Sequence, residues 1–113
     1  MVESARRANR RYKYETAISH DIVLPDILYD GKIYNFSNDG VYFESNEQIL
    51  EGDEISITVT KKPQNERVDT PKTFDVEILW RKEIQGTSYR YGYGAKLLEP
   101  KGSLISLFGR NKF

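Results

Sequence analysis

The chain has 113 residues, which is enough for one domain with a single hydrophobic core and too few for two. It carries 17 basic and 17 acidic side chains, so the molecule as a whole has no electrostatic reason to bind nucleic acid or an anionic membrane. Cysteine is absent and His20 is the only histidine, which excludes a disulfide framework and disfavours a metal site. With no bilayer-length apolar run and no secretory signal, we expect a cytoplasmic protein without membrane insertion.

The predicted strands, taken in chain order, are short and separated by turn signals, which is typical of a β-sandwich or barrel. We predict an all-β fold: a six-stranded antiparallel β-barrel, closed or nearly so, because closure removes the exposed edges of a small sheet. The six predicted strands cover residues 14–24, 27–36, 40–45, 53–60, 73–84 and 87–99.

Three local features lie within this pattern. Asp30-Gly31 suits a two-residue hairpin turn or a bulge in the second strand. Residues 61–72 contain two prolines, many charges and no aromatic residue, which predicts an exposed connection. In the fifth strand the two-residue period runs on to Trp80, which places that ring on the same face as the apolar residues before it.

The charges predict three segments. Residues 1–13 carry five basic side chains and one acid, whereas the remaining hundred carry twelve basic and sixteen acidic ones. We therefore expect a flexible basic arm (1–13), a barrel (14–100) and a tail (101–113), with Ser103 as the N-cap of a short helix in the tail.

No arrangement typical of an enzyme is found. The sequence has no nucleophile with a base at a recognisable spacing, no G-x-S-x-G motif and no P-loop. His20 is best interpreted as a structural strand residue, since Asp21 beside it points to the opposite face of a strand. We therefore expect a protein that binds without catalysing a reaction.

The arm contains "RRANRR", in which Arg7 and Arg11 are four residues apart, as are Arg6 and Arg10. Either pair could clamp one anionic ligand if the arm folds over it. Guanidinium groups suit this task because their planar donor fork matches phosphate oxygens and the O6 and N7 acceptors of guanine. A solvated arm that only aids solubility is the simpler interpretation of the charge.

The stretch "NFSNDG" also has two interpretations. As a turn, its residues are common turn formers and Gly40 adopts a positive φ between two strands. As a site, Asn35 and Ser37 point to the same side at the mouth of the barrel, and Gly40 keeps the backbone out of a ligand's way.

Together, these two segments carry a resemblance. An R-x-x-x-R at Arg7 and Arg11, followed by N-x-S-x-x-G at Asn35, Ser37 and Gly40 within a six-strand barrel, resembles the PilZ domain, the bacterial receptor for cyclic di-GMP. The likeness extends over nearly the whole chain. It includes the late "W…YGYGAKL", whose tryptophan and second glycine stand where family members commonly carry these residues.

The resemblance implies a role for each motif. Arg7 and Arg11 would hold the phosphates and guanine edges of cyclic di-GMP, and Asn35, Ser37 and Gly40 would line the pocket beneath a guanine. Asparagine replaces the more frequent aspartate at position 35, which keeps an amide for hydrogen bonding and loses a charge-assisted acceptor.

The arginine register stays open, because Arg6 and Arg10 have the same spacing as Arg7 and Arg11. In the family, an arginine directly before the R-x-x-x-R tends to accompany an intercalated ligand dimer, which makes Arg6 a further expected contact. The resemblance implies a non-enzymatic receptor without a cofactor. Its arm would rearrange on binding and relay the signal to an unidentified downstream protein.

Two alternatives remain. A ligand-free PilZ-like adaptor would keep the barrel for protein contacts alone. A small RNA- or DNA-binding barrel would use the basic arm and exposed rings for stacking, although zero net charge argues against a nucleic-acid polymer as the partner. The rings in question are Tyr12, Tyr14, Tyr89, Tyr91 and Tyr93.

Overall fold

A computed structural model describes residues 12–22, 27–37, 39–61 and 67–98, and this part of the chain is all-β. Residues 1–11 of the predicted arm, including Arg6, Arg7, Arg10 and Arg11, and the predicted C-terminal helix lie outside the described residues, whereas Tyr12 and Lys13 of the predicted arm belong to the first strand. The strands are β1 (Tyr12–His20), β2 (Tyr29–Phe36), β3 (Gly40–Ser45), β4 (Glu54–Lys61), β5 (Arg67–Glu83) and β6 (Tyr91–Leu97).

The six strands form a closed barrel in the order β1-β2-β3-β6-β5-β4, and every neighbouring pair is antiparallel. The predicted six-stranded antiparallel barrel is therefore confirmed. The β1–β4 seam that closes it has only three paired positions, from Ile18↔Val59 to His20↔Ile57. The sheet has no fully open edge, as the sequence pattern requires for a small barrel.

The core lies inside the barrel and consists of the side chains that point inward from each strand. In β4, for example, Ile55, Ile57 and Val59 are buried while the side chains between them are partly exposed. Aromatic rings make direct contacts within this core: Phe43 stacks on Tyr93 with ring centroids 5.2 Å apart. Rings of this size supply much of the apolar surface that a 113-residue chain can bury.

The Asp30-Gly31 dipeptide is not a turn or a bulge, so that prediction is wrong. Both residues lie inside β2, in register with β1 and β3. Glycine is required at position 31 for a different reason: a Cβ there would lie 2.7 Å from the backbone carbonyl oxygen of Glu44 on the neighbouring strand. Close strand approach, and not turn geometry, explains this glycine.

The prediction of a connection over residues 61–72 is also mostly wrong. β5 begins at Arg67, so only residues 62–66 separate it from the end of β4. The pairing jumps from Val59↔Lys72 to Lys61↔Arg67, which leaves extra residues on β5. A bulge of this kind accommodates a proline because the backbone N–H of the bulged segment is not needed by the ladder.

Three features lie at one end of the barrel, which we call the hairpin end. The turn between β2 and β3 lies there, β1 begins there with Tyr12 opposite Phe36, and β6 ends there, where the Leu97 amide donates to the Asp39 carbonyl at 2.7 Å. Both outer segments of the chain therefore join the barrel beside the β2–β3 turn.

At the opposite end, the connection between β3 and β4 folds back over the core. The Ile49 side chain is fully buried, and its amide donates to the Tyr93 hydroxyl at 2.9 Å. That hydroxyl donates in turn to the Glu47 carbonyl at 2.5 Å. A single buried phenol thus fixes two backbone groups of this connection.

Candidate functional site

The N-x-S-x-x-G residues meet at the hairpin end. The Ser37 amide donates to the Gly40 carbonyl at 2.8 Å and closes the β2–β3 hairpin. The Ser37 side chain is buried, and its Oγ lies within 3.5 Å of where a Cβ on Gly40 would be. Asn35 pairs across the strands with Tyr42, two positions along β3 from Gly40. The structure therefore brings Asn35, Ser37 and Gly40 together in a small volume.

Gly40 does not adopt the positive φ expected of a turn glycine. Within the described residues, the glycines with positive φ are Gly52 and Gly86. Gly40 is instead a strand residue paired with Lys96, and a Cβ on it would come within 3.1 Å of the Ala95 carbonyl oxygen. Glycine is favoured here by the close approach of β6, so this part of the turn interpretation is wrong.

A bulge in β2 turns Asn35 away from the core. The register of β2 against β3 shifts between Ile33 and Asn35, while Ile33 and Phe36 both stay fully buried. The half-buried Asn35 carries a buried side-chain oxygen, Oδ1, that has no hydrogen-bond partner among the described residues. An orphaned acceptor of this kind is costly and is satisfied when a ligand supplies an N–H donor.

The arginine arm joins the barrel beside the N-x-S-x-x-G residues. Arg11 directly precedes Tyr12, and Lys13 of β1 pairs with Asn35 of β2. The structure does not describe where the four arginines lie, so their contacts stay a prediction. The strand pairing does place the junction between the arm and β1 next to the N-x-S-x-x-G residues.

Trp80 lies on the outside of the barrel and not in the core. The register of β5 against β6 shifts between Ile78 and Trp80, which inserts Leu79 and reverses the alternation. Trp80 is 41% exposed, and its ring lies over Gly94, where any side chain would overlap it. The two-residue period had assigned this ring to the core face, and the bulge explains the error.

Trp80 belongs to a group of aromatic rings on the outer surface of the barrel, which the sequence did not identify as a candidate site. Tyr42 stacks on Trp80 with centroids 5.9 Å apart and an interplanar angle of 29°, and Tyr34 lies 6.0 Å from Tyr42. We call these three residues the aromatic face. A usable signal was present in the glycines of β6, since Gly92 and Gly94 make room for Tyr42 and Trp80 respectively.

Cations and one carboxylate border the aromatic face. Lys32 Nζ lies 4.8 Å from the Tyr34 ring centre, and Lys82 Nζ lies 5.6 Å from that of Tyr42. The Tyr42 hydroxyl donates to Glu44 at 3.0 Å. Burial, with a smaller effect of this carboxylate, raises the pKa of Tyr42 to about 12. The phenols therefore stay neutral and keep their donor protons at physiological pH.

His20 is fully buried in the barrel and hydrogen-bonded at both ring nitrogens. Nδ1 donates to the Asp21 carbonyl at 2.8 Å, which leaves Nε2 to accept from the Ser45 hydroxyl at 2.8 Å. Ser45 Oγ accepts in turn from the Glu47 amide at 3.1 Å. Although serine and histidine are within catalytic distance, both are 0% exposed, so this pair has a structural role.

We expect acid to destabilise the protein through His20. Burial lowers the pKa of His20 below 6.5, so the folded state binds fewer protons than the unfolded chain. The stability that this group supplies is complete above about pH 6.5 and falls as the pH drops below that value, by up to about 1.4 kcal/mol per pH unit. Urea unfolding between pH 7.5 and 5 measures the slope.

His20→Gln, which cannot gain a proton in this range, is the matched control for that measurement. Because the chain has one histidine, its imidazole NMR signal reports the folded-state pKa directly. An imidazole that titrates at or above 6.5 would contradict the prediction, as would equal pH slopes for the parent and the variant.

Two further observations concern metal ions and membrane-spanning helices. Within residues 12–22, 27–37, 39–61 and 67–98, no group of three or more His, Cys, Asp or Glu side chains could hold a metal ion. The same residues include no helix long and apolar enough to span a bilayer.

The burial of the tyrosines bears on the nucleic-acid alternative. Tyr14, Tyr91 and Tyr93 belong to the core and are at most 7% exposed. They cannot stack on the bases of a polynucleotide without unfolding the barrel. That alternative therefore loses three of the five rings on which it depended, because these tyrosines pack in the core of the barrel.

Comparison with known proteins agrees with the geometry. A search of curated proteins found no significant match. The family model for the PilZ domain matches residues 5–108, which include the arm motif, the N-x-S-x-x-G hairpin and all six strands. The chain belongs to the PilZ domain family.

Proposed function

We propose that this protein is a non-enzymatic receptor for cyclic di-GMP, which it binds at the hairpin end of the barrel and on the adjoining aromatic face. PilZ domains generally bind this second messenger, and the family match covers almost the entire chain. The observation that carries the proposal is the meeting of Asn35, Ser37 and Gly40 beside the residue where the arginine-bearing arm joins β1.

The chemistry of the hairpin end suits a guanine nucleotide. The orphaned Oδ1 of Asn35 can accept a hydrogen bond from a guanine N–H. Arginines of the arm, most directly Arg7 and Arg11, can bind phosphate oxygens with two parallel hydrogen bonds. An exposed indole such as that of Trp80 offers a surface on which a base can stack.

The proposed signal is a rearrangement of the arm. A segment with four arginines repels itself and carries little apolar surface, so an anionic ligand would order it against the barrel. The new surface would then be recognised by a downstream protein. An intracellular receptor of this kind fits the absence of cysteine, which we take as an indication of the cytoplasm.

Calorimetry with the full chain tests the proposal. We expect saturable binding of cyclic di-GMP at or below tens of micromolar, with a stoichiometry that distinguishes one ligand from an intercalated pair. Asn35→Ala and Ser37→Ala should each weaken binding by about 3- to 10-fold, because each removes one hydrogen-bonding group, and should leave the barrel folded.

Thr58→Ala is a suitable control, since Thr58 bonds only Thr73 at 3.0 Å on the outer surface of β4 and β5. It should bind like the parent. No saturable binding by the parent chain would refute the receptor. Binding that prefers long polynucleotides and falls steeply with salt would favour the nucleic-acid alternative instead.

A further inference from the structure

Glu44 is a buried carboxylate on the outer side of the barrel. It follows Tyr42 by two residues on β3, so both side chains point outward, yet Glu44 is only 5% exposed. One carboxylate oxygen, Oε2, accepts the Tyr42 hydroxyl at 3.0 Å. The other, Oε1, is buried and has no hydrogen-bond partner in the described part of the chain. Leaving a charged acceptor unsatisfied is costly, which indicates that a donor is missing.

The Tyr34 phenol also approaches this carboxylate, since burial and its interaction with Glu44 raise the pKa of Tyr34, but Oε1 itself has no hydrogen-bond partner in the described part of the chain. The neighbouring cations do not supply one. Lys32 lies over the Tyr34 ring and pairs with Glu15 at 3.8 Å, and Lys82 lies over the rings of Tyr42 and Trp80. Among the described residues, neither lysine forms an ion pair with Glu44. The free oxygen therefore keeps its acceptor capacity, while the positive charges around the aromatic face attract an anionic ligand to it.

The position of Glu44 fits the span of a dinucleotide. Glu44 follows Gly40 by four positions on β3, which corresponds to roughly 13 Å along an extended strand. Continuous contacts connect Trp80 to Tyr42 and Tyr42 to Glu44. This path of contacts would let a base stacked on the indole approach the carboxylate, while the other base of the same ligand occupies the hairpin end.

We propose that Glu44 selects guanine at a second base position, its free oxygen accepting a hydrogen bond from the exocyclic amino group of a base stacked on Trp80. This inference rests on the proposed receptor function and adds a specificity residue to it. Guanine presents N1–H and N2–H donors side by side, and a carboxylate is an acceptor at both of its oxygens. Adenine carries its amino group at C6 and only a C–H at C2, so it offers the free oxygen no donor at the position of the guanine amino group.

Entry of the base requires one enclosing phenol to move. Tyr34 and Tyr42 are strand residues, whereas Tyr89 belongs to the connection between β5 and β6 and is only half-buried. Burial, together with the electrostatic influence of the Asp30 and Glu44 carboxylates, raises the pKa of Tyr89. A side chain in this connection can rotate without breaking strand pairing.

The test compares cyclic di-GMP with cyclic di-IMP, whose hypoxanthine bases lack only the exocyclic amino group. The parent chain should bind cyclic di-GMP at least tenfold more tightly. Glu44→Gln should lose at least tenfold in affinity for cyclic di-GMP and keep its affinity for cyclic di-IMP, because the Tyr42 hydroxyl holds the amide oxygen and leaves an NH2 group facing the ligand.

Glu77→Gln is the matched control, since Glu77 is an outer carboxylate paired with Lys96 at 3.7 Å, and it should leave both affinities unchanged. Three outcomes overturn the inference: a parent chain that binds the two ligands equally, a Glu44→Gln variant that binds both as the parent does, and one that weakens both equally. In each case cyclic di-GMP still binds the parent, so the receptor function survives. Failure of the proposed receptor function would appear as no binding of either ligand to the parent chain.

Discussion

Replacing Arg7 or Arg11 with alanine is expected to weaken cyclic di-GMP binding by at least about tenfold each, or about 1.5 kcal/mol. Each substitution removes a guanidinium that can make two charge-assisted hydrogen bonds to phosphate or to a guanine edge. The barrel should keep its stability, because these residues precede the first strand. Calorimetry for binding and thermal unfolding for stability separate the two effects.

Arg90→Ala is a matched control for the loss of one guanidinium. Arg90 is exposed in the connection between β5 and β6, at the opposite end of the barrel from the hairpin end, so its removal should change affinity by less than twofold. Substitutions at Arg6 and Arg10 decide the register, because the pair that binds should show the larger losses. A fall in stoichiometry from two ligands to one in Arg6→Ala would assign that residue to the ligand dimer. Full affinity in all four arginine variants would place the site elsewhere.

Replacing Tyr93 with phenylalanine is expected to destabilise the protein by about 2–4 kcal/mol. The fully buried hydroxyl accepts from the Ile49 amide at 2.9 Å and donates to the Glu47 carbonyl at 2.5 Å. Phenylalanine keeps the ring stacked on Phe43 but leaves the buried Ile49 amide and the partly buried Glu47 carbonyl without this partner. Urea unfolding measures the loss.

Tyr91→Phe provides a control on the same strand. The Tyr91 hydroxyl accepts only from the side-chain amide of Gln48, which is itself exposed to water and can rebond there. Its loss should cost less than about 1 kcal/mol. Equal effects in the two variants would show that the phenol of Tyr93 does not hold the β3–β4 connection in place.

The barrel itself could be predicted from the sequence because its strands alternate clearly. Ile55, Ile57 and Val59 identify a core face without ambiguity, and six such segments in 113 residues favour closure. What could not be predicted were the places where a neighbouring strand overrides local preference. Asp30-Gly31 has the composition of a turn, yet it continues β2 because the Glu44 backbone approaches too closely for a side chain.

The site was only partly predictable for a related physical reason. Asn35, Ser37 and Gly40 are adjacent in sequence, so their proximity follows from the hairpin alone. Trp80 is different, because one inserted residue in β5 turns it from the core to the surface. Periodicity cannot reveal a bulge, since the shift depends on which partner residue is hydrogen-bonded and not on the hydrophobicity of the strand.

The shared position of the two outer segments has a practical consequence. β1 starts and β6 ends at the hairpin end, so the domain is entered and left on the same side. A fluorescent acceptor attached where β6 ends and a donor attached to the arm would therefore both report on this side of the barrel. The proposed folding of the arm around cyclic di-GMP would change their separation, which makes this barrel a suitable core for a resonance-energy-transfer biosensor of the second messenger.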